Sequence, residues 1–243
     1  TDYEDYYSAM LADRIESLCR VVKKECEGRS LAVSYFGYHS EVRVPFSGSF
    51  GLHKLLKSPF IDMLAAPVSY HDRNEGGSGA YMSPVSSIHA AGKLWIDEGD
   101  YRTSVRTSIG FAPGGTQEGV GDAIPCIVTK EATDEVVKRQ IGKGMVYGSG
   151  VWWLDLVYRG WFDYPEFWEN HHRMQMLAEK YSKIKKGVTP DVAIVYDELA
   201  MNMLGQPWQV NSDLLTSMRK TLYHAGFSFG YYSSEDVISG KTD

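Results

Sequence analysis

Four charged side chains follow an apolar segment in the stretch GKLWIDEGDYRT, residues 92–103. The segment begins like a buried strand and then carries Asp97, Glu98, Asp100 and Arg102. A carboxylate in this position can act as a nucleophile, because the active sites of α/β barrels lie at the carboxyl ends of their strands. The same pattern is also typical of a strand that runs out into a solvated turn or an ion pair. On these residues alone, both interpretations stay open.

The alternation of side chains along a strand indicates which acid matters. Leu94, Ile96 and Glu98 share one parity, so they point to the same side of the strand, while Trp95 and Asp97 point to the other. If Leu94 and Ile96 fill the interior of a barrel, Glu98 is the inward carboxylate at its rim. Arg102 could hold either Asp100 or Glu98.

Polar and aromatic residues also follow three other predicted strands, at 30–38, 60–67 and 149–156. Carboxylates and guanidinium groups can hydrogen-bond sugar hydroxyls, and aromatic rings offer flat apolar faces. Trp152 and Trp153 have opposite parity, so only one of them can face a barrel interior. The residues at these three strand ends are Tyr35, Tyr38, His39 and Glu41; Ser69, Tyr70, His71, Asp72 and Arg73; and Trp152, Trp153 and Asp155.

The elements that would position these residues alternate between helix and strand. Helices are predicted at 3–26, 51–58, 84–91, 129–147 and 164–184, and the strand at 92–98 completes a set of four. This alternation predicts a parallel sheet covered by helices, and the spacing fits an eight-fold barrel of about 250 residues. Only half of such a barrel is present, over residues 1–186. Because half a barrel leaves its interior open, we expect the chain to be a piece of a longer protein.

A second α/β domain is predicted to begin at residue 187, after the linker-like stretch 185–190. Strands at 191–198 and 227–232 flank a helix at 211–226. Asp197 and Glu198 at the end of its first strand are interpreted as turn residues. The segment lacks the glycine patterns of nucleotide sites.

Several stretches together resemble the C-terminal half of the catalytic barrel of glycoside hydrolase family 42 β-galactosidase-like proteins. They are YFGYHSE, IDMLAAPVSYHDRNEGGSGAYMSPVSSI, GKLWIDEGDYRT and GVWWLDL followed by GWFDYPEFW, and the similarity covers residues 3–184. The resemblance implies a retaining glycosidase that cleaves β-galactosides or related β-glycosides, with barrel strands five to eight in this chain. It also implies a flavodoxin-like or glutamine-amidotransferase-like second domain that contributes to oligomer contacts.

The resemblance also implies roles for single residues. Glu98 takes the position of the nucleophile, whereas the acid/base Glu of the family follows the fourth strand, which this chain lacks. Glu75 follows a different strand and does not receive that role. The residues expected to shape the sugar site are Tyr38, Tyr70, Arg73, Trp95, Asp100, Arg102, and Trp152 or Trp153.

Composition excludes several other classes of protein. The net charge is −6 and no block of Lys or Arg stands out, so neither nucleic acid nor a membrane is an expected partner. The three Cys and the scattered His show no zinc spacing, no GxSxG occurs on a strand-turn-helix, and no cofactor or metal is expected. The expected partners are a carbohydrate and either the missing half of the barrel or a second copy. The alternative function is a non-catalytic carbohydrate-binding or scaffold barrel.

Overall fold

The computed structural model describes residues 2–38, 41, 49–105, 127–155, 160–183, 190–203 and 211–240. Their elements alternate between helix and strand, largely as the sequence predicts. Two short helices, at Glu198–Met203 and Ser234–Ile238, were not predicted. Residues 110–122, which the sequence predicts to lie in a long loop, are outside the described residues. In chain order the elements are α1 Asp2–Glu25, β1 Val33–Tyr35, α2 Leu52–Lys57, β2 Met63–Pro67, α3 Val85–Ala90, β3 Leu94–Gly99, α4 Lys130–Tyr147, β4 Gly150–Trp153, α5 Pro165–Tyr181, β5 Val192–Tyr196, α6 Glu198–Met203, a π-helical turn Asn211–Thr216, α7 Ser217–His224, β6 Phe229–Ser233 and α8 Ser234–Ile238.

The first four strands form one parallel sheet in the order β1-β2-β3-β4. Strands β1 and β2 pair in parallel with Val33 opposite Met63 and Tyr35 opposite Ala65. Parallel neighbours need a long crossover, and helices supply it here, so the chain is an α/β protein as predicted. Strands β5 and β6 form a separate parallel pair.

The chain divides into two compact units. Unit 1 comprises Thr1–Ala66, Tyr81–Ile96 and Thr189–Asp243, and unit 2 comprises Pro67–Ala80 and Asp97–Val188. The predicted domains, 1–186 and 187–243, follow a different boundary and stay a prediction.

Unit 1 has a core built from α1, α2, β2 and α3 around the fully buried ring of Trp95. Gly37 lies against this ring, and a Cβ atom there would come within 2.6 Å of Trp95 Cη2. Only glycine fits such an approach without moving the core. A buried ion pair, with 2.5 Å between Arg219 Nη2 and Glu41 Oε1, ties α7 to the segment after β1.

Unit 2 has an aromatic core between α4, β4 and α5, formed by Trp161, Phe162, Tyr164 and Phe167 with Trp153 packed against it. Local signals in the sequence set the ends of its helices. The Thr129 hydroxyl accepts the Ala132 N–H at 3.0 Å and caps α4. Gly148, at a φ of 78°, ends the same helix in the left-handed region. Pro165 opens α5, where a missing N–H is tolerated.

Candidate active site at the carboxyl end of strand β3

Glu98 lies at the end of β3 and keeps only 6% of its surface exposed. Its backbone oxygen accepts the Val68 N–H at 3.0 Å, which fixes the strand end beside the residue that follows β2. Asp97 points toward α4, so strand alternation directs Glu98 to the opposite face of the sheet. The backbone at Glu98 is therefore fixed, and its side chain is screened from bulk water.

An ion pair between Arg73 and Asp100 lies in the same unit. Arg73 Nη2 donates to Asp100 Oδ1 at 2.5 Å, and the two side chains are 1% and 6% exposed. Burial acts to lower the pKa of the Arg73 guanidinium, but Asp100 together with Tyr101 and Tyr70 outweighs it, so that the pKa is raised. The guanidinium carbon lies 4.4 Å from the ring centre of Tyr101 and 5.5 Å from that of Tyr70.

Polar side chains of α4 contact the end of β3 on the face that carries Asp97. One oxygen of Asp97 accepts from Gln140 Nε2 at 2.6 Å and lies 2.9 Å from Lys143 Nζ. Gln140 Oε1 in turn accepts the Tyr101 hydroxyl at 2.9 Å. Sequence reasoning missed these positions. Their only signal was a set of polar residues within a helix predicted to be covered, and spacing along a helix does not name a partner on a strand.

The loop that carries Arg73 is anchored by Arg139 of α4. Arg139 Nη2 donates to the Arg73 backbone oxygen at 2.6 Å, and Nη1 donates to the oxygens of Asn74 and Gly77 at 2.7 Å each. Nη2 also lies 3.0 Å from the Tyr101 hydroxyl. Five N–H donors in one plane allow a single guanidinium to hold several carbonyls at once. The position of Arg73 is therefore set by α4.

The two tryptophans of β4 have different environments. Trp153 packs into the aromatic core, with its ring centre 5.6 Å from that of Phe167, and donates from Nε1 to His171 Nδ1 at 3.1 Å. A Cβ on Gly99 would lie 2.5 Å from Trp153 Cε3, so the strand end and this ring are in close contact. Trp152 is 43% exposed. Of the two, Trp152 is therefore the one whose ring is accessible to a ligand.

The remaining predicted site residues belong to unit 1 or are buried by packing. Tyr38 belongs to unit 1, where its hydroxyl is 3.2 Å from that of Tyr35. Trp95 is fully buried in the core of unit 1, on the parity opposite to Glu98. A ring covered on all sides by protein offers no face to a sugar, so we assign Trp95 to core packing. Arg102 is buried, with its guanidinium carbon 5.2 Å from the ring centre of Trp161.

Three further features of the described residues bear on function. They contain no group of three or more His, Cys, Asp or Glu arranged to hold a metal ion. Asp197 Oδ1 accepts the Ala200 N–H at 2.8 Å and so caps α6, while Glu198 accepts the Leu52 N–H at 3.0 Å. Within the same described ranges, no helix is long and apolar enough to cross a membrane.

The chain is an α/β protein with a parallel sheet, in which Glu98 is buried at the end of β3. The Arg73–Asp100 ion pair is buried in the segments that follow β2 and β3. No family model, no curated protein and no solved structure matches the chain.

Proposed function

We propose that the chain forms part of a retaining glycoside hydrolase that cleaves β-galactosides or related β-glycosides. Glu98 attacks the anomeric carbon while the bond to the aglycone oxygen breaks and the protonated aglycone leaves. Water then attacks the same carbon of the glycosyl ester, which releases the sugar and regenerates the Glu98 carboxylate. In this proposal the four-stranded sheet corresponds to strands five to eight of a (β/α)8 barrel, and residues 187–243 begin the domain that follows it.

The observation that carries the proposal is the placement of Glu98. It stands at the carboxyl end of a parallel strand and is 6% exposed, on the face away from α4. Arg73 and Asp100 lie in the same compact unit, and half-exposed Trp152 is the next-to-last residue of β4, the strand that neighbours β3. A nucleophilic carboxylate needs a fixed position and partial exclusion of water, and a sugar needs hydrogen-bonding groups and a flat apolar face.

The acid/base residue of this mechanism comes from outside the described cluster. Retention requires a second carboxyl group about 5.5 Å from the nucleophile. The other two carboxylates of this strand end are already engaged, Asp97 by Lys143 and Gln140, and Asp100 by Arg73. Neither is therefore placed to give a proton to a leaving group. The proposal assigns this role to a Glu on an earlier strand of the barrel.

The missing acid suggests a test that does not depend on it. A 2,4-dinitrophenyl 2-deoxy-2-fluoro-β-galactoside carries a leaving group that departs without protonation, and its fluorine slows hydrolysis of the glycosyl-enzyme. We expect the sugar to accumulate on Glu98, which peptide mass spectrometry locates. The Glu98→Gln variant should take up no label, whereas Glu75→Gln, a change at an exposed acid of the loop after β2, should label normally.

Two outcomes would count against the proposal. A label on a different carboxylate would show that this residue, and not Glu98, is the nucleophile. No label with galacto-, gluco- and xylo-configured reagents, on a protein whose unfolding is cooperative, would favour a barrel that binds carbohydrate without cleaving it.

A further inference from the structure

Arg73 has two buried guanidinium nitrogens, Nε and Nη1, whose N–H groups have no acceptor within hydrogen-bonding distance among the described residues. The side chain is 1% exposed, and its one hydrogen bond to a described residue is the one that Nη2 donates to Asp100. Burying an N–H group without an acceptor is unfavourable, and native proteins keep few such groups. The N–H groups on these two nitrogens are therefore suited to donate to an acceptor atom of a bound ligand.

The loop that carries Arg73 is fixed by side chains of α4. Arg139 holds the backbone oxygens of Arg73, Asn74 and Gly77, and Lys143 donates to the oxygen of Gly79. These donors are on one helix, α4, whose Lys143 also contacts Asp97 of β3. The backbone of the loop is thus fixed by α4 and the guanidinium is fixed by Asp100 before any ligand binds, which reduces the entropy lost on binding.

The geometry points to a specific ligand, and this inference rests on the proposed function. We propose that Arg73 and Asp100 bind two neighbouring neutral hydroxyl groups of the sugar. Arg73 donates to the oxygen of one hydroxyl, and Asp100 accepts the proton of the other.

Charge separates this ligand from an acidic sugar. The positive charge of Arg73 is already balanced by Asp100 at 2.5 Å, so a uronate carboxylate would meet a neutral pair and would also approach the Asp100 charge. Two adjacent hydroxyls, by contrast, offer one acceptor and one donor side by side, which matches a guanidinium next to a carboxylate. The pair therefore selects neutral sugars with adjacent free hydroxyls.

The test measures binding separately from cleavage. Titration calorimetry on the protein uses methyl β-D-galactopyranoside, its monodeoxy derivatives and the corresponding methyl galacturonide. We expect loss of either of two adjacent hydroxyls to weaken binding by about 10-fold to 100-fold, as for hydrogen bonds to charged groups. The Arg73→Lys variant should lose sensitivity to one of these hydroxyls, and Asp100→Asn to the other. The galacturonide should bind no tighter than the galactoside.

Matched controls keep the outcomes distinct. Arg20→Lys changes an exposed arginine that also pairs with a carboxylate and contacts an aromatic ring, and it should leave every affinity unchanged. Asp100→Asn is nearly isosteric and carries the test if Arg73→Lys fails to fold. Equal binding of all deoxy probes, no binding of any probe, or tighter binding of the galacturonide overturns the inference. Hydroxyl-selective binding without labelling of Glu98 would support the binding role of Arg73 and Asp100 and reject the hydrolase function. Labelling of Glu98 with no effect of the two variants on binding would support the hydrolase function and reject the binding role.

Discussion

Lys143 of α4 lies 2.9 Å from the carboxylate of Asp97 on β3, and both side chains are almost fully buried. Asp97 directly precedes Glu98, so this ion pair fixes the strand end from the helix side while the acid faces away. Replacing Lys143 by Met should lower the free energy of unfolding by about 3–5 kcal/mol, because it leaves a buried carboxylate without its cation. Urea denaturation measures the change.

The exposed pair on the same helix supplies the control for this prediction. Lys138 lies 2.8 Å from Glu135, with both side chains well exposed, and Lys138→Met should change the stability by no more than about 1 kcal/mol. Adding Asp97→Asn to Lys143→Met should restore part of the loss, since it removes the unpaired charge. Equal effects of Lys143→Met and Lys138→Met would show that the buried pair does not hold the strand.

Glu98→Gln should keep the fold and lose hydrolysis by several orders of magnitude, since an amide is a poor nucleophile. Glu98→Gly leaves space for an external anion. With an activated β-glycoside and sodium azide, this variant should form the α-glycosyl azide, because azide attacks from the side that the carboxylate occupied. Nuclear magnetic resonance of the product identifies the anomer, and a β-azide would contradict the assigned role.

The two tryptophans of β4 offer a matched comparison. Trp153→Ala should cost about 3–5 kcal/mol of stability, because the ring fills a core between Phe162, Phe167 and His171. Trp152, at 43% exposed, loses far less packing, and its replacement by Ala should cost no more than about 1 kcal/mol. The same change should weaken sugar binding. Unchanged affinity of Trp152→Ala would remove that residue from the proposed site.

His53 of α2 gives unit 1 a pH dependence. Its Nδ1 lies 3.2 Å from Glu198 Oε2, and the hydrogen bond to Glu198 raises the pKa of the imidazole, with help from Glu235. Burial and Lys57 act in the opposite direction. Because the folded-state pKa is above the unfolded value of 6.5, the stabilisation is complete below that pH and is lost as the pH rises through the folded pKa.

A comparison with His53→Gln tests this pH dependence. The difference in unfolding free energy between the wild type and the variant should be largest at about pH 5 and smallest at about pH 9. The histidine resonances, followed by nuclear magnetic resonance, should include one from His53 with a raised pKa. A difference that grows toward alkaline pH would reverse the assignment.

The alternation of helices and strands was predictable because each element carries its own signals. Apolar runs with β-branched residues predicted the strands, and the structure places Pro165 and Gly148 at helix ends, where their backbone preferences fit. Helices α6 and α8 were missed because each spans little more than one turn, too short for a helical period to show. The parity of β3 puts Asp97 and Glu98 on opposite faces, since alternation is a property of the strand itself, and the contacts of Asp97 with α4 show which face Asp97 occupies.

The partners of the charged residues were decided by tertiary structure alone. Sequence reasoning offered Arg102 as a partner for either Asp100 or Glu98, and the guanidinium that reaches Asp100 is that of Arg73, 27 residues earlier in the chain. It gave no indication that Gln140 and Lys143 meet Asp97, and it left Trp152 and Trp153 undistinguished. Local pattern determines which face of an element a side chain occupies. Which residue meets it there depends on how the crossovers bring distant elements together, and that packing is a property of the whole chain.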